Sequence, residues 1–437
     1  MKQFIRHTLS LFLLFLAGIG MGQEMSMDEY LDYLRKESLL IHQSANHVTD
    51  AELNARAAKS ALLPSVSTAF LYQRDFSKNF LFFNDADFGV TKLRTNFNNS
   101  INADVIANQT LYDPVASAEY KVAEQVAAQA EIDHRETIDQ LLLQGARLFL
   151  QTLFMKESVH IIEESLQLAQ DQQQQTQDLY QQGLVSELEL KQAELYYQQA
   201  LPHLASARNS YQTLINELKA LASIPEGDDL HLIGNITQVD PGAEKVHSLE
   251  KNLQLQSIHR ELSMTDLTIR AREAAWNPKV KVGLGYNLNA QDNEFRFENE
   301  NQLWYGRLSI QVPILTGGYS AAQLQRARLA KDNAQLQLQH TRQTLNAQLD
   351  NHYLDLGLAR KRIGLQEEIL ALAEKEFEIS TYQSSAGIIT ATDRKQIRLD
   401  LSRAKLSLLQ AHLQARLTQL EIDKITGKPF INNNNLK

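Results

Sequence analysis

Lys279-Val280-Lys281-Val282-Gly283-Leu284-Gly285-Tyr286-Asn287-Leu288-Asn289 alternates without a break. Val280, Val282, Leu284, Tyr286 and Leu288 fall on one face; Lys279, Lys281, Gly283, Gly285, Asn287 and Asn289 fall on the other. Successive side chains of a strand point to opposite faces, so the stretch reads as a stave with one apolar and one wet side. Leu303 to Val312 does the same, with Trp304, Gly306, Leu308, Ile310 and Val312 opposite Tyr305, Arg307, Ser309 and Gln311. Each run has about the 9–11 residues that a tilted transmembrane strand requires, so Val282, Leu284, Leu308 and Ile310 are expected to face lipid.

The second stave ends at Val312-Pro313-Ile314-Leu315-Thr316-Gly317-Gly318. From there no Pro and very few Gly interrupt the chain until Gly387, a helical tract of some 65 residues or on the order of 100 Å. The first half of the chain carries the same order. Strand-like runs Ser65–Gln73 and Asn99–Leu111 end at Gln109-Thr110-Leu111-Tyr112-Asp113-Pro114, and a long helical tract then leads to Gly183. Ser65–Gln73 is the least regular of the four, because Ala69 and Leu71 blur its polar side. Gly183 and Gly387 lie 204 positions apart, and Leu111 and Ile314 lie 203 apart. Matching offsets of that size mark a duplicated supersecondary unit rather than a short-period solenoid. Between the strands of each pair, Arg74–Asn98 and Ala290–Gln302 are rich in Asn, Asp and Phe and read as surface loops.

Helices this long need partners along their length. Leu204, Ala207, Tyr211, Leu214, Leu218 and Leu221 are spaced three and four apart, a heptad seam on the helix returning from Gly183. Leu399, Ser402, Leu406, Leu409, Leu413, Leu417 and Leu420 form its counterpart in the second copy. Shorter helices are expected from about Ser26 to Ala61, opened by a Ser26/Glu29 capping box, and from Ser248 to Ala275. At the two turns, Gly183 and Gly387 suit the left-handed residue that ends a helix. Ser186 with Glu189, and Thr390 with Asp393, then fit an N-cap and its capping box. Each carboxylate has two readings, as a helix cap or as part of an acidic ring at the mouth of a tube.

The N-terminus has the form of a secretory signal. Lys2, Arg6 and His7 precede the apolar stretch Leu9–Ala17, and Gly20-Met21-Gly22 offers small residues for cleavage. No other stretch approaches the ~20 apolar residues of a transmembrane helix, so membrane entry is expected through strands. Four strands cannot close a barrel, since small barrels begin at about eight. An open sheet in hydrocarbon would leave its edges unpaired, and three chains would supply twelve strands. The chain has no cysteine, which removes disulfides, thiol catalysis and a lipid-modified N-terminal Cys. Removing the two basic residues of the signal takes the net charge from −9 to −11, which argues against nucleic acid as a partner.

The LLPSVS and WNPKVKVGLGY strand starts, the ILTGG helix start and the GLVSELELKQAE turn, in this order and duplicated, resemble TolC-type outer membrane factors. The resemblance covers nearly the whole mature chain. It implies a mainly α fold with a transmembrane β portion: long antiparallel helical hairpins forming a periplasmic tunnel, and four strands per chain in a trimeric twelve-stranded barrel. It also implies a homotrimer in outer-membrane lipid that works with a periplasmic adaptor (membrane fusion) protein and an inner-membrane pump. Aspartates just after the second-copy turn line the aperture of such proteins. Here Asp393 holds the first such position, Gln396 stands at the second, and Ile389 stands where some members have an Arg. The expected aperture and turn residues are therefore Asp393, Gln396, Gly183, Gly387 and Glu189. The expected division is 1–22 signal peptide, 23–225 first repeat, 226–247 equatorial linker, 248–429 second repeat and 430–437 disordered tail.

Nothing in the chain reads as an enzyme site, and neither a cofactor nor a metal is expected. HExxH, GxSxG and phosphate-binding Gly loops are absent. His134, His160, His203, His259, His340, His352 and His412 are scattered without metal-ligand spacing and read as solvated or interfacial. Met21, Met25 and Met27 read as composition around the cleavage site, and Gln172–Gln175 as a solvated helix face. The expected function is a passive exit channel of a tripartite efflux or type I secretion system. The alternative is a non-channel periplasmic coiled-coil adaptor or structural protein, which would not need lipid-length alternating strands.

Overall fold

The structure, a computed structural model, describes residues 23–85, 89–225, 227–237, 248–298, 300–385 and 389–430. Residues 1–22, read as a signal peptide and including Met21, residues 226 and 238–247 of the expected linker, the turn residue Gly387 and residues 431–437 lie outside the described residues. Contacts divide the chain into two units. One gathers the N-terminal segment to Asn46, Ile132–Ser257 and the chain from Leu338; the other gathers His47–Glu131 and Ile258–Gln337.

The second of these holds a four-stranded antiparallel sheet made of β2 (Ser65–Arg74), β5 (Asn99–Tyr112), β7 (Lys279–Asp292) and β8 (Glu300–Gln311), in the order β2-β5-β7-β8. The four expected staves are the four strands, within a few residues at each end. The pairing of β5 with β7 joins the two repeats through thirteen residue pairs, with one bulge between Thr110 and Tyr112. The loop read as Arg74–Asn98 contains more structure than its composition suggested. Strands β3 (Phe80–Asp85) and β4 (Gly89–Arg94) form a hairpin there, Phe80 opposite Arg94 and Phe82 opposite Lys92. The many Asn and Asp residues masked a short run of β-favouring Phe and Leu.

The long tracts are single helices. Asp113 caps the first, its Oδ1 accepting from the amides of Val115 and Ala116 at 3.1 Å each, and Pro114 stands at the first helical position, where its missing N–H costs nothing. This helix, Pro114–Gln181, spans 68 residues; its counterpart Tyr319–Ser385 spans 67. The return helices Glu187–Ala222 and Ala391–Thr426 have 36 residues each. With Met27–Glu37, Leu39–Ser60 and Leu253–Glu273, the helices are α1 to α7 in chain order: α1 Met27–Glu37, α2 Leu39–Ser60, α3 Pro114–Gln181, α4 Glu187–Ala222, α5 Leu253–Glu273, α6 Tyr319–Ser385 and α7 Ala391–Thr426. The single N-terminal helix expected from Ser26 to Ala61 is broken at Ser38, whose backbone is extended (ψ 124°) and whose carbonyl accepts from Ile41 and His42. The buried Ser38 hydroxyl itself makes no capping hydrogen bond among the described residues.

In the helical unit, Tyr30, Leu31 and Leu34 of α1 are fully buried against Phe149 of α3 and Leu218 of α4, with the Tyr30 and Phe149 rings 5.8 Å apart. Gly145 permits this approach, because a Cβ there would lie 2.6 Å from Leu34 Cδ2. Met25 is buried in the same core and Met27 packs on it, so these methionines are structural rather than a by-product of the cleavage site. A second core forms between Leu345, Leu349 and Leu356 of α6 and Ala415, Ile422 and Ile425 of α7. The seam expected along α7 serves the other core: Leu409, Leu413 and Leu420 pack with the first-repeat residues. α7 thus buries two faces, one in each core.

Within 226–247, the described residues include a short strand. β6 (Leu230–Leu232) pairs parallel with β1 (Gln23–Met25), and Lys156 Nζ donates to the Leu232 carbonyl at 2.9 Å. Phe430, assigned to a disordered tail, is partly buried against the first core. The return helices end at left-handed residues 204 positions apart, Ser223 (φ 59°) and Gly427 (φ 69°), repeating the offset of the two turn glycines. The first return helix thus stops at Ser223, two residues before the expected end of the first repeat at 225.

Candidate channel wall and mouth

Residues directly opposite in an antiparallel pair share a face, so the register sorts the whole sheet. Val280 pairs with Ile310, Val282 with Leu308 and Leu284 with Gly306; Leu284 also pairs with Ala107, which pairs with Val66. Tyr286 pairs with Trp304 and Val105, Leu288 with Ala103, and Ala290 with Ile101; Phe70 and Tyr72 complete these rows on β2. One largely apolar face results, interrupted by Thr68, Gln109, Gln302 and, in the Ala290 row at one end, Glu300. Leu284, Leu308 and Ile310 are 62–66% exposed in the single chain, and Val282 is half-buried. From the Val280–Ile310 row to the Ile101–Tyr72 row the face spans ten residues of strand, about 25 Å along a barrel axis at the usual strand tilt. Of the polar interruptions, Gln109 turns its amide back to the carbonyls of Leu62 (2.9 Å) and Thr110 (2.7 Å).

The opposite face carries Ser65, Ser67, Asn102, Asn108, Asn287, Asn289, Ser309 and Gln311, with Ala69, Leu71, Ile106 and Leu303 as apolar exceptions. Asn287 Nδ2 donates to Asn102 Oδ1 and Asp104 Oδ1, both at 2.6 Å. Both outer strands of the sheet, β2 and β8, are unpaired on one side among the described residues.

The first turn is built as its residue types require. Gly183 has φ 70°; its N–H donates to the Tyr180 carbonyl and that of Leu184 to the Leu179 carbonyl, both at 2.9 Å. This is the Schellman pattern that stops a helix on a left-handed glycine. Ser186 and Glu189 then form a full capping box: the Ser186 N–H donates to Glu189 Oε2 at 2.8 Å and the Glu189 N–H to Ser186 Oγ at 3.3 Å. Thr390 and Asp393 repeat it at 3.2 and 3.1 Å. Asp393 is exposed while it caps, and Glu189 is half-buried. Gln396 is also exposed, and its amide donates to both Asp400 oxygens at 3.0 and 2.9 Å.

Behind the second turn lies a cationic cluster that the sequence reading missed. Arg398 Nη1 donates to Gln172 Oε1 (2.9 Å) and to the Leu168 carbonyl (2.8 Å). Gln172 is buried, correcting its reading as part of a solvated face. Burial lowers the Arg398 guanidinium below its ordinary range, and the neighbouring Arg394 adds to this. Lys395 Nζ stands 4.7 Å from the Tyr196 ring centre. The only sequence signal was the cationic spacing Arg394, Lys395, Arg398 on α7. His412 is buried as well, and burial lowers its pKa. No group of metal-ligating side chains is present among the described residues, and no described helix is long and apolar enough to cross a membrane.

The family model for outer membrane efflux proteins matches residues 31–223 and 246–428, one segment for each repeat. The chain belongs to this family. It is a family of transport channels rather than of enzymes. Among relatives, the solvent efflux pump outer membrane protein SrpC of Pseudomonas putida is 22% identical over 253 residues, 56% of this chain and 53% of the relative. The toluene efflux pump outer membrane protein TtgI, also of Pseudomonas putida, matches to the same extent. The chain thus spans about half the length of the curated relatives it matches. Solved structures of the same fold include the Campylobacter jejuni CmeC outer membrane channel (TM-score 0.77, 15% identity, 92% of this chain and 85% of that one). Another is Vibrio cholerae VceC (TM-score 0.73, 15% identity, 92% and 96%). These likenesses show the TolC-type fold: mainly helical, with a small sheet that remains open in the single chain.

Proposed function

We propose that three copies of this chain close a twelve-stranded barrel in the outer membrane and form a passive exit duct. An inner-membrane pump and a periplasmic adaptor deliver cargo to it. The observation that carries this reading is the apolar face of the sheet. Its large side chains Leu284, Trp304, Leu308 and Ile310 are exposed in the single chain, its rows run for about the height of an outer-membrane apolar band, and they belong to a sheet with two open edges. In hydrocarbon both features demand closure with further copies, because unpaired strand edges are not tolerated there. A periplasmic stalk or adaptor would leave those apolar rows facing water.

In this assembly residues 1–22 direct export and are removed. Residues 23–225 and 248–429 form the two repeats. Val282, Leu284, Leu308 and Ile310 face lipid, and the Asn-rich face lines the lumen. The turns at Gly183 and Gly387 form the periplasmic mouth, with Asp393 and Gln396 from each copy around it and Glu189 serving as a cap. The test is reconstitution of the detergent-extracted protein into planar bilayers, together with its mass in detergent. A trimer giving discrete conductance steps is expected. A monodisperse monomer that retains its full sheet content and conducts no ions would overturn the channel reading.

A further inference from the structure

The polar face of the sheet is not electrically neutral. Its charged side chains, among the described residues, are Lys279, Lys281, Arg307 and Asp104. Asp104 accepts a hydrogen bond from Asn287 at 2.6 Å, and the Lys279 ammonium lies 3.3 Å from Asp113. Lys281 and Arg307 have no carboxylate partner among the described residues, and both are exposed. Register makes them diagonal neighbours: Lys281 is opposite Ser309 and Arg307 is opposite Gly283. Side chains on such a diagonal are within reach of one another, at about 7–8 Å. Two like charges so placed, on a chain whose net charge is −9, are not explained by local pairing.

The backbone shapes the surface beside them. At Gly285 a Cβ would fall 2.3 Å from Tyr305 Cζ, so the Tyr305 ring lies flat across the strand. The Arg307 guanidinium stands 5.8 Å from that ring's centre, a cation–π geometry that orients it without neutralising it. Gly283 is likewise covered by the Asn108 side chain, whose Oδ1 a Cβ would meet at 2.8 Å. The two glycines thus let the Tyr305 ring and the Asn108 side chain lie against the strand, and the cations stand beside them.

We propose that Lys281 and Arg307 form an electropositive girdle inside the barrel, six charges in a trimer, which favours passage of anionic solutes over cationic ones. The proposal rests on the trimeric channel reading above. Rings of basic side chains select anions because the field of several like charges adds across a narrow lumen. Cargo bearing carboxylate, sulfonate or phosphate groups fits such a girdle.

The experiment is the chloride-to-potassium permeability ratio, taken from reversal potentials across a KCl gradient. It is measured for the wild-type protein and for Lys281→Gln, Arg307→Gln and the double variant. The series is repeated with Asp393→Asn, so that a carboxylate at the mouth cannot hide a charge effect in the barrel. Each single variant should lower the ratio and the double variant should lower it by about two-fold or more, while Lys281→Arg and Arg307→Lys leave it near the wild-type value. A wild-type protein that gives no conductance removes the channel and the girdle together. A conducting protein whose ratio is unchanged in the double variant, in both backgrounds, leaves the channel standing and overturns the girdle.

Discussion

Arg398 on α7 and Gln172 on α3, residues of opposite repeats, meet at 2.9 Å, and the same guanidinium nitrogen holds the Leu168 carbonyl at 2.8 Å. Lys405 reinforces this seam with a 2.8 Å bond to Glu164 of α3, and Arg147 pairs with Glu421. The two repeats are therefore cross-linked by polar contacts as well as by the shared apolar core.

Removing the guanidinium leaves a buried amide oxygen without its donor. Arg398→Leu should cost about 1–3 kcal/mol in denaturant unfolding followed by helical circular dichroism. Gln172→Leu alone should cost a similar amount. The double substitution should cost clearly less than the sum, because residues in one hydrogen-bonded pair are not additive. Additive losses would mean that the pair is incidental.

On the sheet, the two faces should respond oppositely to the same substitution. Leu284→Arg or Ile310→Arg should impair trimer assembly, at about 2–4 kcal/mol near the midplane of a bilayer. Ser309→Arg, on the polar face, should assemble normally and change conductance. Native electrophoresis of membrane extracts distinguishes them, and equal yields of trimer from both faces would refute the assignment of sides.

Tyr30 offers a pH test of the first core. Its hydroxyl donates to the Leu218 carbonyl at 3.0 Å, and burial raises its pKa well above the ordinary 10.0. A pKa raised in the folded state means that the folded chain holds the proton more tightly. This stabilisation is complete below pH ~10 and is lost as pH climbs from there toward the folded-state pKa. Tyr33 and Tyr211 are raised by burial too, so wild-type stability should fall above pH ~10 with contributions from all three. In Tyr30→Phe the decline between pH ~9 and ~11.5 should be shallower by about one proton's worth of slope. An unchanged slope would show that Tyr30 ionises without disturbing the core.

The acid at the second turn separates a cap from a ring. Asn at 393 keeps much of the capping geometry seen with Thr390, so Asp393→Asn should fold with a loss of no more than about 1 kcal/mol. If three such carboxylates ring a constriction, the variant should lose cation preference and divalent block in planar bilayers. Glu189→Gln should affect conductance less. Unchanged selectivity in Asp393→Asn would reduce Asp393 to a helix cap.

Much of this molecule was legible before any coordinates. The four staves, the two long helices, the Gly183 stop and the Ser186–Glu189 and Thr390–Asp393 boxes all follow from patterns within a few residues. A period of two, a run without Pro, and Ser or Thr three residues before an acid are local signals, and the local conformations they specify are the ones formed. Two local features were missed: the helix break at Ser38, and the β3–β4 hairpin, whose Phe run an Asn- and Asp-rich setting hid.

What only the tertiary structure decided involves partners far apart in the chain. The sequence by itself determined a duplicated unit, but not that β5 lies beside β7, nor that α7 serves two cores. Leu409 and Leu413 look like any other heptad positions; the core they enter depends on which helices converge there. Gln172 is a polar residue in a Gln run until Arg398, 226 positions away, buries it. The pairing of β1 with β6 and the close approach at Gly145 are of the same kind. Secondary structure is selected by interactions between near neighbours, whereas burial depends on which distant surfaces meet, and that information is not carried by any one segment.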